Sequence, residues 1–113
     1  MNKREVGSFY ENKVCDYLIS EGIEIIERNF FCKFGEVDII GREGDTLIFF
    51  EVKFRSGDSF GNPLDAIDRR KQKRIIGCAK YYTAYKYSDM YIRFDAVGVT
   101  DDKIEWVKDA FWM

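Results

Sequence analysis

The chain has 113 residues, of which 46% are hydrophobic and 17% aromatic, and its formal net charge at neutral pH is −2. This length predicts a single domain over residues 1–113 that buries about two-thirds of its unfolded surface. The sequence has no long apolar run and no apolar segment near its start, so it predicts neither a membrane-spanning helix nor a signal peptide. Its three cysteines are odd in number and far apart, which favours reduced thiols in a cytoplasmic protein.

Hydrophobic spacing and turn residues predict seven elements in the order α-β-β-β-α-β-β. The first helix ends near Gly22, and a loop over 56–62 leads to Pro63 in the first turn of the second helix. Three hairpin-linked strands before a crossover helix give a mixed β-sheet flanked by helices, an α/β fold. The predicted ranges are 3–21 for the first helix, 23–32 for the first strand, 35–55 for a hairpin, 63–87 for the second helix, and 90–99 and 103–108 for the last strands.

The hairpin over 35–55 is the most informative segment. A two-residue turn at 44–45, flanked by alternating apolar residues, is a strong hairpin signal. With that turn, Asp38 lies across from Glu51, and Glu36 lies across from Lys53. Alternation puts Glu51, Lys53 and Arg55 on one face of the strand and its apolar residues on the other, toward a core.

A pairing that places Asp38 opposite Glu51 costs energy, because like charges directly across an antiparallel pair of strands repel each other. A divalent cation removes that repulsion, and Mg²⁺ or Mn²⁺ suits carboxylate oxygens. Lys53 beside the ion can orient or deprotonate a water or neutralise phosphate charge. The alternative is a solvated strand face with a weak Glu36–Lys53 ion pair.

These residues also carry a family resemblance. Gly35-Glu36-Val37-Asp38-Ile39-Ile40 followed by Phe50-Glu51-Val52-Lys53 resembles the PD-(D/E)XK nuclease superfamily, which has the restriction-endonuclease-like fold. The whole chain is similar, nearly end to end, to the YraN family of small bacterial proteins. The shared motifs are Gly7 with Glu11, Arg28-Asn29, Gly61-Asn62-Pro63, Arg69-Arg70-Lys71, Arg93-Phe94-Asp95 and Asp109-Ala110-Phe111.

The resemblance implies a nuclease site that holds Mg²⁺ or Mn²⁺. Asp38, Glu51 and the Val52 carbonyl would hold the ion, and Lys53 would be the catalytic lysine. Glu11 would complete the site from the first helix, and either Glu11 or Glu36 would hold a second ion or an outer-sphere water. Two departures are the absence of the superfamily's proline before Asp38, where Val37 stands, and of any histidine.

A nucleic-acid partner requires positive charge, which the chain concentrates in one segment. From residue 53 to residue 74 there are seven basic and three acidic residues, a local charge of +4. Arg55, Arg70 and Lys71 are the candidate phosphate contacts; the alternative is an ordinary solvated basic helix face.

The resulting expectation is a metal-dependent endonuclease acting on DNA, with branched or structured DNA as a candidate substrate. The alternatives are a nuclease-like fold that binds nucleic acid or a protein without cutting, and a purely structural protein. A homodimer is left open.

Overall fold

The computed structural model describes residues 2–54 and 67–113, and within them all seven predicted elements occur in the predicted order. The five strands form one sheet in the order β1-β2-β3-β4-β5. Only β3 and β4 are parallel, and the other neighbours are antiparallel, so the sheet is mixed as predicted. The elements are α1 (Lys3–Ser20), β1 (Glu24–Cys32), β2 (Gly35–Glu43), β3 (Thr46–Phe54), α2 (Arg69–Tyr85), β4 (Tyr91–Val99) and β5 (Ile104–Phe111).

A core lies on each face of the sheet. On one face α1 packs through Tyr10, Val14 and Leu18, which recur at helical spacing. On the other face α2 packs through Ile75, Cys78, Ala79 and Tyr82. Both faces of β3 are therefore covered, with Phe50 toward α1 and Phe49 toward α2. The first half of β3 is a continuous buried run, so its apolar residues pack on both faces of the strand and not only on the one face predicted to meet a core.

The helix ends follow from capping residues. Gly22 has a positive φ of 93°, and the N–H of Ile23 bonds to the Leu18 carbonyl at 3.0 Å, which closes α1 as predicted. The Asp68 side chain accepts from the N–H of Lys71 at 2.8 Å and so caps α2. The second helix therefore does not include residues 67 and 68, contrary to the predicted start at 63, and residues 55–66 lie outside the described ranges.

The hairpin turn forms where it was predicted. Glu43 pairs with Thr46 across Gly44-Asp45, and Gly44 has a φ of 60°. That left-handed conformation suits glycine in a two-residue turn. The register then holds without a bulge as far as Ile39 and Phe50.

The last two strands are joined by a buried acidic residue. Asp95 is fully buried and receives two hydrogen bonds from Arg93, at 2.9 and 2.8 Å. It also accepts from the Trp106 indole at 2.8 Å and the Asp109 N–H at 2.9 Å. These four bonds satisfy the carboxylate and give Asp95 a structural role.

The three cysteines are free, as predicted. The sulfurs of Cys32 and Cys78 lie 3.0 Å apart where β1 meets α2. Across the described ranges, neither helix has the length and apolar character needed to span a bilayer.

Candidate metal and nuclease site

The site lies where β2 and β3 separate, a place called the fork below. The ladder ends at the Ile39–Phe50 pair, one pair short of Asp38 and Glu51. Beyond it, the Asp38 carboxylate accepts the N–H of Val52 at 2.8 Å. Asp38 and Glu51 are therefore not backbone partners, and neither are Glu36 and Lys53, contrary to the predicted register. The physical reason is that the Asp38 side chain takes a strand N–H that a backbone carbonyl would otherwise accept.

Asp38 remains within electrostatic reach of Glu51. Its pKa is raised from 3.8 to about 7, first because burial disfavours the charged form and second because the Glu51 carboxylate repels that charge. Glu11 adds to the increase, whereas the Val52 hydrogen bond and the Lys71 charge oppose it. The two carboxylates predicted to share a pocket therefore do lie near each other, but they do so where the strands separate and not as a backbone pair.

Glu51 has a cation of its own. Its side chain is only 6% exposed, and its Oε1 lies 2.5 Å from the Lys71 ammonium. Lys71 stands in the first turn of α2, directly after the Asp68 cap, so the start of the helix is what places this ammonium over the sheet. The sequence predicted Lys71 as a phosphate contact but gave no sign of its pairing with Glu51.

Glu11 is held toward the fork by two residues of β1. Its Oε1 receives bonds from Arg28 at 3.0 and 3.1 Å and from the Asn29 amide at 3.1 Å. Asn29 adopts a positive φ of 53°, a conformation that asparagine tolerates better than most residues. Arg28 and Asn29 were not predicted as site residues, although their polar step in an apolar strand was a visible signal.

Glu36 is the fourth carboxylate of the group. Its pKa is raised by burial, then by the charge of Asp38 and a side-chain hydrogen bond with Asp38, with Glu11 contributing further. The nearby Lys71 charge partly offsets these effects. Glu36 therefore belongs to the same electrostatic unit as Asp38, and its role in holding a second ion or an outer-sphere water stays a prediction.

Two open cavities meet at this unit. One, of ≈ 500 Å³, lies on the α1 side and is lined by Gly7, Glu11 and Val52 among others. The second, of ≈ 530 Å³, lies on the α2 side and is lined by Glu51, Arg70 and Lys71 among others. Asp38 and Glu36 line both cavities. The fork is therefore reachable from both faces of the sheet, which gives a ligand two routes of approach.

The remaining predicted residues have different outcomes. Lys53 is exposed at the end of β3 and lines neither cavity, and its charge is not among those acting on Asp38. Arg70 is exposed and lines the α2-side cavity. Arg55 lies outside the described residues. In this arrangement Lys71, rather than Lys53, is the lysine in contact with the carboxylates.

The oxygen donors at the fork suit a hard divalent cation. Asp38 and Glu51 supply two carboxylates, the number that Mg²⁺ sites commonly use together with water and substrate phosphate. Because N–H and C=O of one strand residue point to the same edge, the Val52 carbonyl also faces the fork. Within residues 2–54 and 67–113, no three or more acidic, cysteine or histidine side chains are grouped tightly enough to hold an ion by themselves.

Comparison with known proteins identifies relatives along the whole chain. The model of "Uncharacterised protein family UPF0102" matches residues 10–99. A UPF0102 protein of Fusobacterium nucleatum is 43% identical over 113 residues, covering 99% of this chain and 95% of the relative. Another, from Caldicellulosiruptor bescii, is 44% identical over 98% of this chain and its own full length. The chain therefore belongs to the UPF0102 family, which confirms the YraN-like resemblance of its motifs.

Proposed function

We propose that this protein is a metal-dependent phosphodiesterase that cuts nucleic acid, with DNA as the expected substrate. The observation that carries the proposal is the Asp38–Glu51 pair at the fork. Burial of the Asp38 carboxylate and, second, repulsion by the nearby Glu51 carboxylate raise the pKa of Asp38 to about 7. Such an arrangement costs stability in the free protein, and binding of a divalent cation would offset that cost.

The chain's own residues divide the work. Asp38, Glu51 and the Val52 carbonyl would hold Mg²⁺ or Mn²⁺, and the bound ion would polarise the scissile phosphate and favour loss of a proton from water. The Val52 N–H fixes the Asp38 carboxylate in place. Arg28 and Asn29 hold Glu11 on the α1 side, where its second oxygen can accept a hydrogen bond from an attacking water.

The Lys71 ammonium has two roles in this proposal. In the free protein it neutralises Glu51 from 2.5 Å away. If Glu51 held a divalent cation instead, the Lys71 ammonium would be free to pair with a substrate phosphate beside the site. Lys53 stays a candidate for orienting water, because its side chain is exposed at the end of β3 and close in sequence to Glu51. The resemblance to the PD-(D/E)XK superfamily supports the same chemistry.

A second candidate function is nucleic-acid binding without cleavage. The Glu51–Lys71 pair favours it, because the Lys71 ammonium already contacts the Glu51 oxygen that would otherwise bind a metal ion. In that case the protein's own cations would neutralise the carboxylates, and divalent cations would have no specific effect on the protein. Metal response therefore separates the two functions.

The test is a cleavage screen over labelled single strands, duplexes, flaps, four-way junctions and RNA, with millimolar Mn²⁺ or Mg²⁺. We expect cleavage of at least one substrate that disappears with EDTA and in the Asp38→Asn and Glu51→Gln variants. Lys53→Ala and Lys71→Ala tested side by side show which lysine takes part in the reaction. Equal cleavage by wild type and Asp38→Asn would identify a contaminating nuclease and contradict the proposal.

A further inference from the structure

The solvent side of α2 carries a stripe that the proposed chemistry does not use. Its members are exposed or partly exposed and recur every three or four residues, so they share one helix face turned away from the core. The stripe starts with cations beside the fork and continues with tyrosines toward the far end of the helix. It consists of Arg70, Lys73, Arg74, Gly77, Tyr81 and Tyr85.

The aromatic part of this face is a cluster of three adjacent rings. Phe34, in the β1–β2 turn, lies over Gly77, where an added Cβ would come within 3.0 Å of the Phe34 ring. Tyr81 contacts both Phe34 and Tyr85, with ring centroids 6.5 and 5.3 Å apart. The side chains are nevertheless open to solvent, with exposed fractions of 45% for Phe34, 39% for Tyr81 and 77% for Tyr85. Three neighbouring rings are thus in contact with each other and open to solvent, where a ligand can reach them.

The cationic part joins these rings to the fork. A cavity of ≈ 620 Å³ is lined by the rings together with Lys33, Lys73 and Lys80. A second cavity shares Phe34 and Lys73 with it and adds Arg70 and Arg74. Those two arginines also line the α2-side cavity that contains Asp38 and Glu51. The three cavities therefore form one surface, the α2 groove, which leads from Tyr85 to the carboxylates.

We propose that the α2 groove binds single-stranded nucleic acid and guides it to the fork. A polyanion matches its lysines and arginines, which stand out on a chain of net charge −2. The exposed rings can stack with bases only where the bases are unpaired, because a duplex buries base faces within its own stack. From Arg70 to Tyr85 the helix rises about 22 Å, enough for about six stacked nucleotides. The direction toward the carboxylates rests on the proposed function; the binding itself does not.

The test is fluorescence anisotropy with a labelled oligothymidine of about 12 nucleotides and a blunt duplex of the same length, in EDTA so that nothing is cut. We expect the single strand to bind at least tenfold more tightly than the duplex. Tyr85→Ala should weaken single-strand binding by about fivefold to a hundredfold, the range for loss of one base–aromatic stack. Tyr85→Phe should retain binding, because stacking does not need the hydroxyl.

Tyr91→Ala is the matched control. Tyr91 is 71% exposed, similar to Tyr85, but it stands at the start of β4 and lines none of the three cavities that form the α2 groove. It should leave binding unchanged. Duplex binding as tight as single-strand binding, an equal loss in both tyrosine variants, no loss in Tyr85→Ala, or no binding would overturn the proposal. If single-strand binding depends on Tyr85 but no substrate is cleaved with Mn²⁺, only the nuclease function is refuted. If a substrate is cleaved with Mn²⁺ but binding does not depend on Tyr85, only binding in the α2 groove is refuted.

Discussion

Replacing Asp38 by asparagine should stabilise the protein in the absence of metal, and should do so only above mildly acidic pH. Asparagine keeps an oxygen that can accept the Val52 N–H but removes the charge that faces Glu51. In the wild type the folded-state pKa of Asp38 lies above its unfolded value, so ionisation of this group opposes folding. The penalty is absent below about pH 4, grows between pH 4 and pH 7, and is complete above pH 7.

The size of the effect follows from the same pKa. The difference between 3.8 and about 7 corresponds to about 4 kcal/mol as an upper limit. The pKa of about 7 already includes the opposing charge of Lys71, but relaxation of the side chains around the ionised carboxylate reduces the cost further. We therefore expect Asp38→Asn to gain about 1–3 kcal/mol at pH 8 and close to nothing at pH 4.

The assay is urea unfolding of both proteins in EDTA at several pH values between 4 and 8, followed by tryptophan fluorescence. The stability difference should increase steadily with pH. Adding Mn²⁺ at ten times its Kd should then stabilise the wild type by about 1.4 kcal/mol and leave Asp38→Asn unchanged. A variant that is less stable than wild type at pH 8 by more than about 1 kcal/mol would show that the Asp38 carboxylate is a structural partner, and would refute the reasoning.

Other parts of the structure give independent predictions. Lys71→Met leaves Glu51 buried without its ammonium, so it should lower stability in EDTA by about 1–3 kcal/mol and respond to Mn²⁺ with a larger rise in melting temperature than wild type does; a smaller rise would contradict competition between the two cations. Asp95→Ala should cost about 3–5 kcal/mol by urea unfolding and red-shift the fluorescence of Trp106, whereas a near-neutral result would disprove its structural role. Cys78, whose pKa burial and a neighbouring thiol raise to about 12, should react with a thiol reagent at neutral pH only after unfolding, and rapid native labelling would contradict its burial.

The sequence was sufficient to predict the fold because its local signals agree with one another. The Gly44-Asp45 turn, the alternating residues around it and the glycine after α1 each specify one conformation. The approach of Asp38 to Glu51 follows from that turn, since register is fixed once turn length is known. Five predicted backbone pairs, from Glu43–Thr46 to Ile39–Phe50, are confirmed, and the predicted register fails only beyond them.

The rest of the site depends on contacts between residues far apart in sequence. The end of the ladder at the fork results from a side chain competing with the backbone, which alternation alone does not predict. The Glu51–Lys71 pair depends on where the Asp68 cap places α2 over the sheet. The hold of Arg28 and Asn29 on Glu11 depends on the packing of α1 against β1.

Calorimetric titration of Mn²⁺ into the wild type and Asp38→Asn proteins at about pH 8 tests the central claim most directly. If the fork is a cation site, the wild type should bind the ion saturably, and the variant should give only the heat of dilution. Identical titrations for the two proteins, or none above background for either, would contradict the assignment of these carboxylates to metal-dependent chemistry.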